Sequence, residues 1–469
     1  MLTRRDLIHS RQFLHRRLVT SFVTHQPDPL EWSGRRLAGA TLVSVMMLVI
    51  AVAVVGIYGF IRPAGNKQWR TCERIIIEAE SGAPYVCGDG VLYPVENFAS
   101  AALLRGVSEK PIRVARASLT WPRGMTVGIP GAPSALPSAR DLLTTPWAVC
   151  VRPDGRPGAR PQAVVLVGVT PSAGPSGPPA QLRVDEALAV SDTSTGQLSV
   201  IHAGRRHEVQ DPPTVSQALR INQVDTLPVS PAWLATVPTG PALGKLEITG
   251  RGGKVAGLGQ LKVGQILTVA DGDRIRTFVA RPTGVQPISK LQEALIRATA
   301  DDTSPPVTLN PVQLAGVTQL EPTPSPLGGD DSLPFMVPAD RSRGVACTVS
   351  ADGTDRRQIT VGGLVPTRDP SAGTAPTARA SAAGTPLADE VVVAPGRGVL
   401  VRAMATPTAA DGTVYLVTET GWRYPVASSD ALNRLGYQGV PAVPQPSTVV
   451  ERLSQGPALG VLALATDGP

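Results

Sequence analysis

Lysine, histidine and aromatic residues are scarce in this sequence of 469 residues. It contains only six lysines and five histidines, aromatic residues make up 4%, and charged residues make up 17%, which is well below the quarter typical of soluble domains. Apolar residues still reach 42%, so the chain can form a hydrophobic core and wholesale disorder is excluded. The shortage of histidine limits the metal sites and catalytic centres that the chain could build.

The net charge of +7 is distributed unevenly. Residues 1–36 contain seven arginines and three acidic residues, a net charge of +4, and the rest of the chain shares the remaining +3. A nucleic-acid-binding module carries its positive charge as a patch on a folded surface. Because the excess here lies on a short N-terminal segment, no nucleic-acid partner is predicted.

The sequence has one long uncharged run, from Leu37 to Ile61. Its 25 residues would form a helix about 37 Å long, enough to cross a hydrocarbon core of about 30 Å. A cleaved signal peptide fits poorly, because its apolar region has only about 7–15 residues and starts closer to the N-terminus. A buried helix of a soluble domain is the other alternative. We predict a single transmembrane helix over residues 37–61.

The charges beside this run predict its orientation. Arg35 and Arg36 precede it directly and five more arginines lie upstream, whereas a weaker basic cluster, balanced by Glu73, follows it. By the positive-inside rule, residues 1–36 are predicted to be cytoplasmic and the remainder to be exported.

The predicted cytoplasmic arm, residues 1–36, has the spacing of an amphipathic basic helix. Its apolar residues from Leu7 to Phe22 recur at intervals of seven, four and four, with arginines between them. Such a helix could lie on anionic lipid or dock on a cytoplasmic partner, and the sequence leaves both open. The residues to which we assign this contact are Phe13, Arg16, Arg17 and Leu18.

All four cysteines follow the apolar run. An even number of cysteines in an exported domain indicates disulfides. A metal site is the competing interpretation, but the exported part has only His202 and His207 as further soft ligands and no Cys-x-x-Cys. We therefore predict no metal site.

Three disulfide pairings are possible for four cysteines. Cys72 and Cys87 bracket a strand–turn–strand pattern that would bring them opposite each other. Cys150 and Cys347 each lie in a short apolar strand that runs into an Asp-Gly turn, and two such strands could pair in a sheet. We predict the pairs Cys72–Cys87 and Cys150–Cys347.

The exported part repeats itself. The pentapeptide Gly-Pro-Ala-Leu-Gly ends two segments, at 240–244 and 456–460, and each is preceded by similar strand, turn and helix patterns. A third copy opens at Tyr85 and a degenerate fourth opens at Leu267. A unit of about 50 residues buries too little surface to be stable alone, so the units are expected to surround a shared sheet.

The predicted fold class is α+β: a single N-terminal transmembrane helix is followed by a split central β domain with four small α/β repeat units around it. The predicted domains are the cytoplasmic arm (1–36), the transmembrane helix (37–61), repeat unit 1 (70–135), the first half of the central domain (140–190), repeat unit 2 (191–246), repeat unit 3 (247–325), the second half of the central domain (335–410) and repeat unit 4 (411–469).

Several motifs resemble those of the EccB family, a membrane component of the type VII (ESX) secretion system of actinobacteria. They include Phe13–Arg17 before the apolar run, the stretch Gly90–Ala101, the Gly-Ile-Pro-Gly-Ala-Pro element at 128–133, and the pair Cys150 and Cys347. The resemblance covers nearly the whole chain. The Cys72–Cys87 pair is not part of the family pattern and depends on spacing alone.

The resemblance implies a structural role. It implies a single-pass subunit of the inner (cell) membrane, with its N-terminus in the cytoplasm and its C-terminal domain periplasmic or extracellular. It also implies assembly with EccC-, EccD- and EccE-type subunits, contact with membrane lipid, and a homo-oligomer through the exported domain.

Members of the family are sometimes labelled ATPases, but the sequence offers no nucleotide site. A P-loop requires G-x-x-x-x-G-K-[ST], and the nearest segment, Gly240–Leu246, is one residue short and ends in leucine. Gly250–Val255 also fails, and His207 aligns with Tyr93 and Tyr424 of other repeats, as a packing residue would. We predict no catalytic residue and no cofactor. A nucleotide hydrolase and a cell-wall-binding anchor remain as alternatives.

Overall fold

The computed structural model divides into two compact units. The smaller contains Met1–Arg70, Glu78–Ser81 and Arg113–Thr120, and the larger contains Thr71–Ile77, Gly82–Ile112 and Trp121–Pro469. The residues that the structure describes are 4–24, 33–61, 67–107, 110–144, 146–154, 156, 158–174, 177–272, 274–300, 305–328, 332–338, 341, 343–350, 357–367, 379–406 and 408–464.

Two long helices dominate the smaller unit: α1, Arg4–Thr24, and α2, Ser33–Ile61. Within α2, residues Ala38–Ile57 form a candidate membrane span of 20 residues with a mean hydropathy of 2.7, and none of it is buried. Among the described residues it is the one helix long and apolar enough to cross a bilayer. The prediction of a single candidate transmembrane helix near the N-terminus is confirmed. Arg62 and Pro63, which follow α2, lie outside the described residues.

The larger unit contains a six-stranded central sheet built from two distant parts of the chain. Strands from 147–181 pair with strands from 346–393 at three places in this sheet. In spatial order the strands are Glu390–Val393, Gln162–Val167, Trp147–Arg152, Ala346–Ser350, Gln358–Val361 and Ala180–Gln181.

Four repeats accompany this sheet, and they share one topology. Three antiparallel strands are followed by a helix, a fourth strand and a short second helix, and the sheet order is third, second, first, fourth. In repeats 2, 3 and 4 the fourth strand runs parallel to the first. This mixed α+β architecture, with small sheets around a split central one, confirms the predicted fold class.

The bounds of the repeats follow from these elements. Repeat 1 has strands Ile76–Glu78, Pro84–Gly88, Val91–Pro94 and Ile112–Val114, helix Phe98–Arg105 and the 3-10 helix Arg116–Ser118. Repeat 2 has strands Glu186–Asp192, Leu198–His202, Arg205–Glu208 and Leu227–Val229, with helices Pro212–Leu219 and Pro231–Leu234. Repeat 3 has strands Ile266–Asp271, Arg274–Arg281, Gly284–Pro287 and Val307–Leu309, with helices Lys290–Ala300 and Pro311–Ala315. Repeat 4 has strands Val399–Met404, Thr413–Val417, Arg423–Pro425 and Val443–Pro446, with helices Ser429–Arg434 and Ser447–Val450.

The remaining elements join the repeats or extend their sheets. Strand Phe335–Met336 pairs in parallel with the start of the first strand of repeat 2. A two-stranded hairpin precedes repeat 3. These elements are the hairpin strands Lys254–Val255 and Leu258–Lys262, and the 3-10 helices Lys67–Thr71, Ala139–Asp141 and Ile221–Gln223.

Three of the four repeats start one strand earlier than the alignment of the repeats with one another indicates. Tyr85 lies on the second strand of its repeat, and the other two clear copies were also recognised at their second strands. Leu267 lies on a first strand, so the degenerate copy was aligned one strand out of register. The alignment of repeats 1, 2 and 4 leaves out their first strands, because these are short apolar runs with little sequence in common and the loops that follow them differ in length. The domain boundaries themselves stay predictions.

Side-chain caps start the short helices. The Asn97 side chain accepts a hydrogen bond from the Ser100 N–H at 2.9 Å, and the Ser428 hydroxyl accepts one from the Ala431 N–H at 3.1 Å. A cap of this kind stabilises a helix by about 1 kcal/mol. Helices of six to eight residues are too short to be stable in isolation, so packing must supply the rest.

That packing joins the repeats in pairs. The long helix of repeat 1 packs against that of repeat 4, and the long helix of repeat 2 packs against that of repeat 3. The opposite sheet faces of repeats 2 and 4 share one core with the central sheet. In repeat 3 the extra hairpin covers the sheet instead, since Val255 and Leu261 lie in the same core as Leu267 and Phe278.

Candidate membrane and assembly surfaces

The N-terminal helix α1 exposes an apolar stripe that one arginine interrupts. At about 100° per residue, Leu7, Leu14 and Leu18 fall within about 40° of one another, with Phe22 beside them. All four side chains are more than half exposed. Arg11 falls inside the same stripe, so the separation of apolar and basic residues is only partial.

The four arm residues assigned by sequence do not lie on one face of α1. Phe13 and Arg17 are one turn apart and neighbour each other, whereas Leu18 lies with the apolar stripe on another side. Phe13 and Leu18 are exposed by 63% and 58%, and Arg16 is also exposed. Their contact with lipid or with a partner stays a prediction.

The apolar side chains of α2 are uncovered along the whole candidate span. Large apolar residues from Leu42 to Ile57 are more than half exposed. In water such a surface would cost about 25 cal/mol for each Å² left uncovered, so the helix requires hydrocarbon or other apolar helices around it. The side chains of Arg35 and Arg36, on which the predicted orientation depends, lie outside the described part of the chain.

In the larger unit a disulfide joins the two halves of the central sheet. Cys150 and Cys347 are directly opposite each other on adjacent antiparallel strands. Their Cα atoms are 4.0 Å apart, and 197 residues separate them in sequence. Both cysteines are fully buried. The Asp352–Gly353 turn expected after Cys347 lies outside the described residues.

A second disulfide fastens the start of the larger unit to repeat 1. Cys72 is bonded to Cys87, with Cα atoms 5.1 Å apart and a separation of 15 residues. Cys87 lies on strand Pro84–Gly88, which pairs with the preceding strand through Ile76 and Ile77. The described chain contains no free cysteine.

Repeats 1, 2 and 4 close by packing a ring onto a glycine. The rings belong to equivalent residues on the third strands, and the glycines lie in the segments that close each repeat. A methyl group added to the glycine would lie 2.3–2.7 Å from the nearest ring atom, closer than any side chain could tolerate. The pairs are Tyr93–Gly124, His207–Gly240 and Tyr424–Gly456.

Repeat 3 lacks both partners of this contact. Its register places Gln286 where the others have a ring and Leu320 where they have glycine. Gln286 keeps one feature of the contact, because its Nε2 donates to the Glu321 carbonyl at 2.8 Å. His207 contacts the equivalent carbonyl of Pro241 at 2.8 Å through its Nδ1.

These contacts assign a packing role to His207, and His202 of the same repeat is also buried. His207 is 3% exposed, and burial lowers its pKa below the usual value while the Pro241 carbonyl opposes this shift. His207 is therefore neutral at pH 7, with Nδ1–H donating to that carbonyl. His202 is buried as well, and its Nδ1 lies 3.1 Å from the Glu186 carbonyl.

The segment that comes nearest to a P-loop closes repeat 2. Leu243 forms a β-bridge with Val209 of that repeat. The His207 ring packs against Gly240 and fills the space that a side chain would take there. The Lys245 ammonium lies 3.2 Å from the Glu247 carboxylate, and both side chains are largely exposed. The segment is thus an extended packing strand and not a loop wrapped around a phosphate.

The described part of the larger unit includes two polar cavities. One, of about 600 Å³, lies between the central sheet and repeat 2, with Asp154, Arg160, Arg379 and Asp389 in its wall. The other, of about 430 Å³, lies between Arg105 and Arg434 at the ends of two packed helices. Within the described residues no three His, Cys, Asp or Glu side chains are placed to hold a metal ion.

Sequence reasoning missed the residue that joins repeat 4 to repeat 1. Arg434 ends the long helix of repeat 4, and its Nη1 donates to the carbonyls of Leu103 and Leu104 at 3.0 Å each. These carbonyls belong to the last turn of the helix Phe98–Arg105, where the helix itself has no N–H left to donate to them; the Leu103 carbonyl also accepts a long bond of 3.5 Å from the Leu462 N–H. The sequence carries no signal for this contact, because more than 300 residues separate its partners.

The described chain thus combines one candidate membrane-spanning helix with a body built from four repeats and a central sheet. The family model described as "Type VII secretion system ESX-1, transport TM domain B" matches residues 1–466, so the chain belongs to this EccB family. This confirms the resemblance to the EccB family that the sequence motifs indicate.

Relatives of the chain include proteins from several ESX systems. It is 28% identical to the ESX-2 secretion system ATPase EccB2 of Mycobacterium tuberculosis, over 98% of this chain and 93% of the relative. It is 27% identical to the ESX-3 secretion system ATPase EccB3 of Mycolicibacterium smegmatis, over 96% and 87%.

Solved structures share the fold. A chain of an intact ESX-5 inner membrane complex matches with a TM-score of 0.65 and 24% identity, covering 100% of this chain and 97% of that one. A chain of the EccB3 dimer from the ESX-3 core complex matches with a TM-score of 0.62 and 24% identity, covering 83% and 100%.

Proposed function

We propose that this protein is a structural, membrane-anchored subunit of a type VII secretion complex. It assembles the inner-membrane core through its cytoplasmic arm, its transmembrane helix and a self-associating exported domain. The observation that carries this proposal is the uncovered apolar helix Ala38–Ile57, which precedes the repeat-built body in the sequence. The family membership and the inner membrane complexes in which similar chains occur support it.

The proposed orientation places the arm, residues 1–36, in the cytoplasm and the body from about residue 67 onward outside it. Seven arginines before the span support this orientation, as do two disulfides beyond it, because such bonds persist in oxidising compartments. The exposed residues Phe13, Arg16, Arg17 and Leu18 then face lipid or the cytoplasmic part of a partner.

The proposed partners are EccC-, EccD- and EccE-type subunits and further copies of this chain. A similar chain occurs as a dimer in an ESX-3 core complex, which supports self-association. The proposed domain boundaries are those given by the sequence, with the first strands of repeats 2 and 4, Glu186–Asp192 and Val399–Met404, added to their units.

Purification from membranes in mild detergent tests this function. We expect the intact chain to emerge with a multispan partner and an EccC-type motor, and with more than one copy of itself. Recovery of a lone monomer would contradict the scaffold role. Two double variants of the arm separate a specific contact from a general effect of basic charge. We expect Phe13→Ala/Leu18→Ala to release the partners and the control, Arg4→Ala/Arg5→Ala, to retain them.

A nucleotide hydrolase is a second candidate, favoured only by the name ATPase that the relatives carry. If the purified chain hydrolysed ATP, Lys245 would be the first cation to test, since it follows the glycine-rich segment. We expect Lys245→Ala to match wild type, with both at the level of a mock purification. ATP turnover above that level, abolished by a single substitution in the body, would favour the enzyme.

A further inference from the structure

Repeats 2 and 4 contact the central sheet through the same face. The registers of their strands align Leu188 with Val399, and Val229 with Gln445. Both faces enter one hydrophobic core together with Trp147 of the central sheet. The contact of repeat 2 with the central sheet and that of repeat 4 are therefore equivalent, and we call them the two junctions. Their residues can be compared position by position.

The second helix of repeat 2 and the turn after it are hydrogen-bonded to the central sheet through side chains. The Trp233 indole N–H donates to the Val149 carbonyl at 3.1 Å. The Thr236 hydroxyl lies 3.1 Å from the Thr348 hydroxyl, which in turn contacts the same carbonyl. Trp233 and Thr236 are both fully buried. Through these two side chains, the second helix of repeat 2 and the turn that follows it are hydrogen-bonded to two central strands.

The junction of repeat 4 lacks these side-chain bonds, and the Arg452 carbonyl accepts a backbone bond from the Ala388 N–H at 2.8 Å. Val449 stands in the place of Trp233, and Arg452 in the place of Thr236. Arg452 is 4% exposed. Its Nη1 donates to the Pro386 carbonyl at 2.9 Å, and its Nε has no partner among the described residues.

Gln445 adds a further unsatisfied group to the junction of repeat 4. Its side chain is fully buried where repeat 2 has Val229, and neither its Oε1 nor its Nε2 has a hydrogen-bond partner within the described chain. A buried amide without partners favours any state in which water can reach it.

Two buried arginines, Arg423 and Arg452, increase this tendency. Repeat 2 has Arg206 in the place of Arg423; its Nε also lacks a partner among the described residues, but the side chain is only partly buried and its Nη2 donates to the Thr239 hydroxyl at 3.2 Å.

Arg423 lies on the same face as Gln445, buried, with its guanidinium 5.0 Å from the centre of the Tyr415 ring. Burial lowers the pKa of Arg423 and of Arg452, and Glu451 partly offsets both shifts. Arg423 also lowers the pKa of Arg452, which shows that the two like charges sense each other in this junction.

We propose that the junction between repeat 4 and the central sheet is a hinge that opens, whereas the junction of repeat 2 stays closed. Repeat 1 moves with repeat 4, because their helices share an apolar core and the Arg434 bonds join them. Repeat 3 stays with repeat 2 for the same reason, through the core between their helices. The body thus has two halves whose angle can change during assembly or transport.

Hydrogen exchange on the full chain in detergent, followed by peptide mass spectrometry, tests the hinge within one molecule. We expect amides of the strand Val399–Met404 to exchange at least about tenfold faster than those of the equivalent strand Glu186–Asp192. Gln445→Val, which installs the residue of repeat 2, should slow exchange in the first strand and leave the second unchanged. The mirror variant Val229→Gln should accelerate exchange in the second.

Equally slow exchange of both strands in the wild-type chain would overturn the hinge, whatever the variants do. An unchanged rate in a folded Gln445→Val protein would overturn the assignment to unsatisfied polar groups, because an ordered water would then already satisfy this amide. Since the wild-type comparison needs no substitution, the test holds even where a variant fails to fold. It is also independent of the co-purification that tests the proposed function.

Discussion

At the scale of single residues, the contact between a ring and a glycine explains why the repeats end alike. The sequence predicted that His207 is a packing residue, because it aligns with Tyr93 and Tyr424. The structure adds its partner, Gly240, whose missing side chain makes room for the ring. Sequence could not supply this pairing, because a glycine in a closing segment also fits an ordinary turn.

We predict that Gly240→Ala destabilises the protein by about 1–3 kcal/mol, because its Cβ would lie 2.5 Å from the His207 ring and force repacking. Denaturant unfolding measures the loss. Gly259→Ala is the matched control, since no atom lies within 4 Å of the added Cβ. Adding His207→Gln to Gly240→Ala imitates repeat 3 and should recover part of the loss; equal stability of single and double variants would contradict the contact.

The lowered pKa of His207 predicts a loss of stability in acid. The unfolded chain binds this proton near pH 6.5 and the folded chain only at lower pH, so the contribution is intact above pH 6.5 and declines as the pH falls below it. His207→Tyr, the residue of repeats 1 and 4, should lose less stability than wild type between pH 7.5 and 5.5. Parallel losses measured by thermal unfolding would refute this.

At the scale of elements, short helices acquire their stability from pairing between repeats. The sequence predicted helices and four repeats, because turn residues and apolar spacing are local signals. It did not predict which helices pair, since contacts between repeats 1 and 4 connect residues more than 300 positions apart. It also did not assign the first strands of repeats 2 and 4 to their repeats, because a buried apolar run carries no periodicity of its own.

We predict that Arg434→Met destabilises the contact between repeats 1 and 4 by about 1–3 kcal/mol, because the carbonyls of Leu103 and Leu104 lose their charged donor. Hydrogen exchange in the helix Phe98–Arg105 should accelerate. Arg140→Met, a change of the same kind at an exposed residue, is the control. Unaltered exchange in that helix would show that Arg434 is not a structural cap.

At the scale of the whole molecule, strands from two distant parts of the chain form one central sheet, and a disulfide links the two parts covalently. Apolar strands around Cys150 and Cys347 predicted that the two could pair, and they lie opposite each other in the structure. The order of the other four strands was beyond sequence reasoning, because strand pairing over such separations depends on the complete fold.

Removal of the two disulfides should have unequal effects. In the loop-closure model a bridge across 197 residues contributes about 5 kcal/mol, and a bridge across 15 residues about 3 kcal/mol. We therefore expect Cys150→Ala/Cys347→Ala to lower the free energy of unfolding more than Cys72→Ala/Cys87→Ala does. The reverse order in denaturant unfolding would count against a central sheet that depends on its covalent link.

The exported body, carried outside the cytoplasm by one apolar helix, is the claim on which the functional account depends. Its most direct test is to trap thiols with an alkylating reagent in intact cells, then digest the native protein and map its cysteines by mass spectrometry. The account predicts peptides joined through Cys72–Cys87 and Cys150–Cys347, with no alkylated cysteine. Four alkylated, unpaired cysteines in the native cell would place the body in a reducing compartment and contradict it.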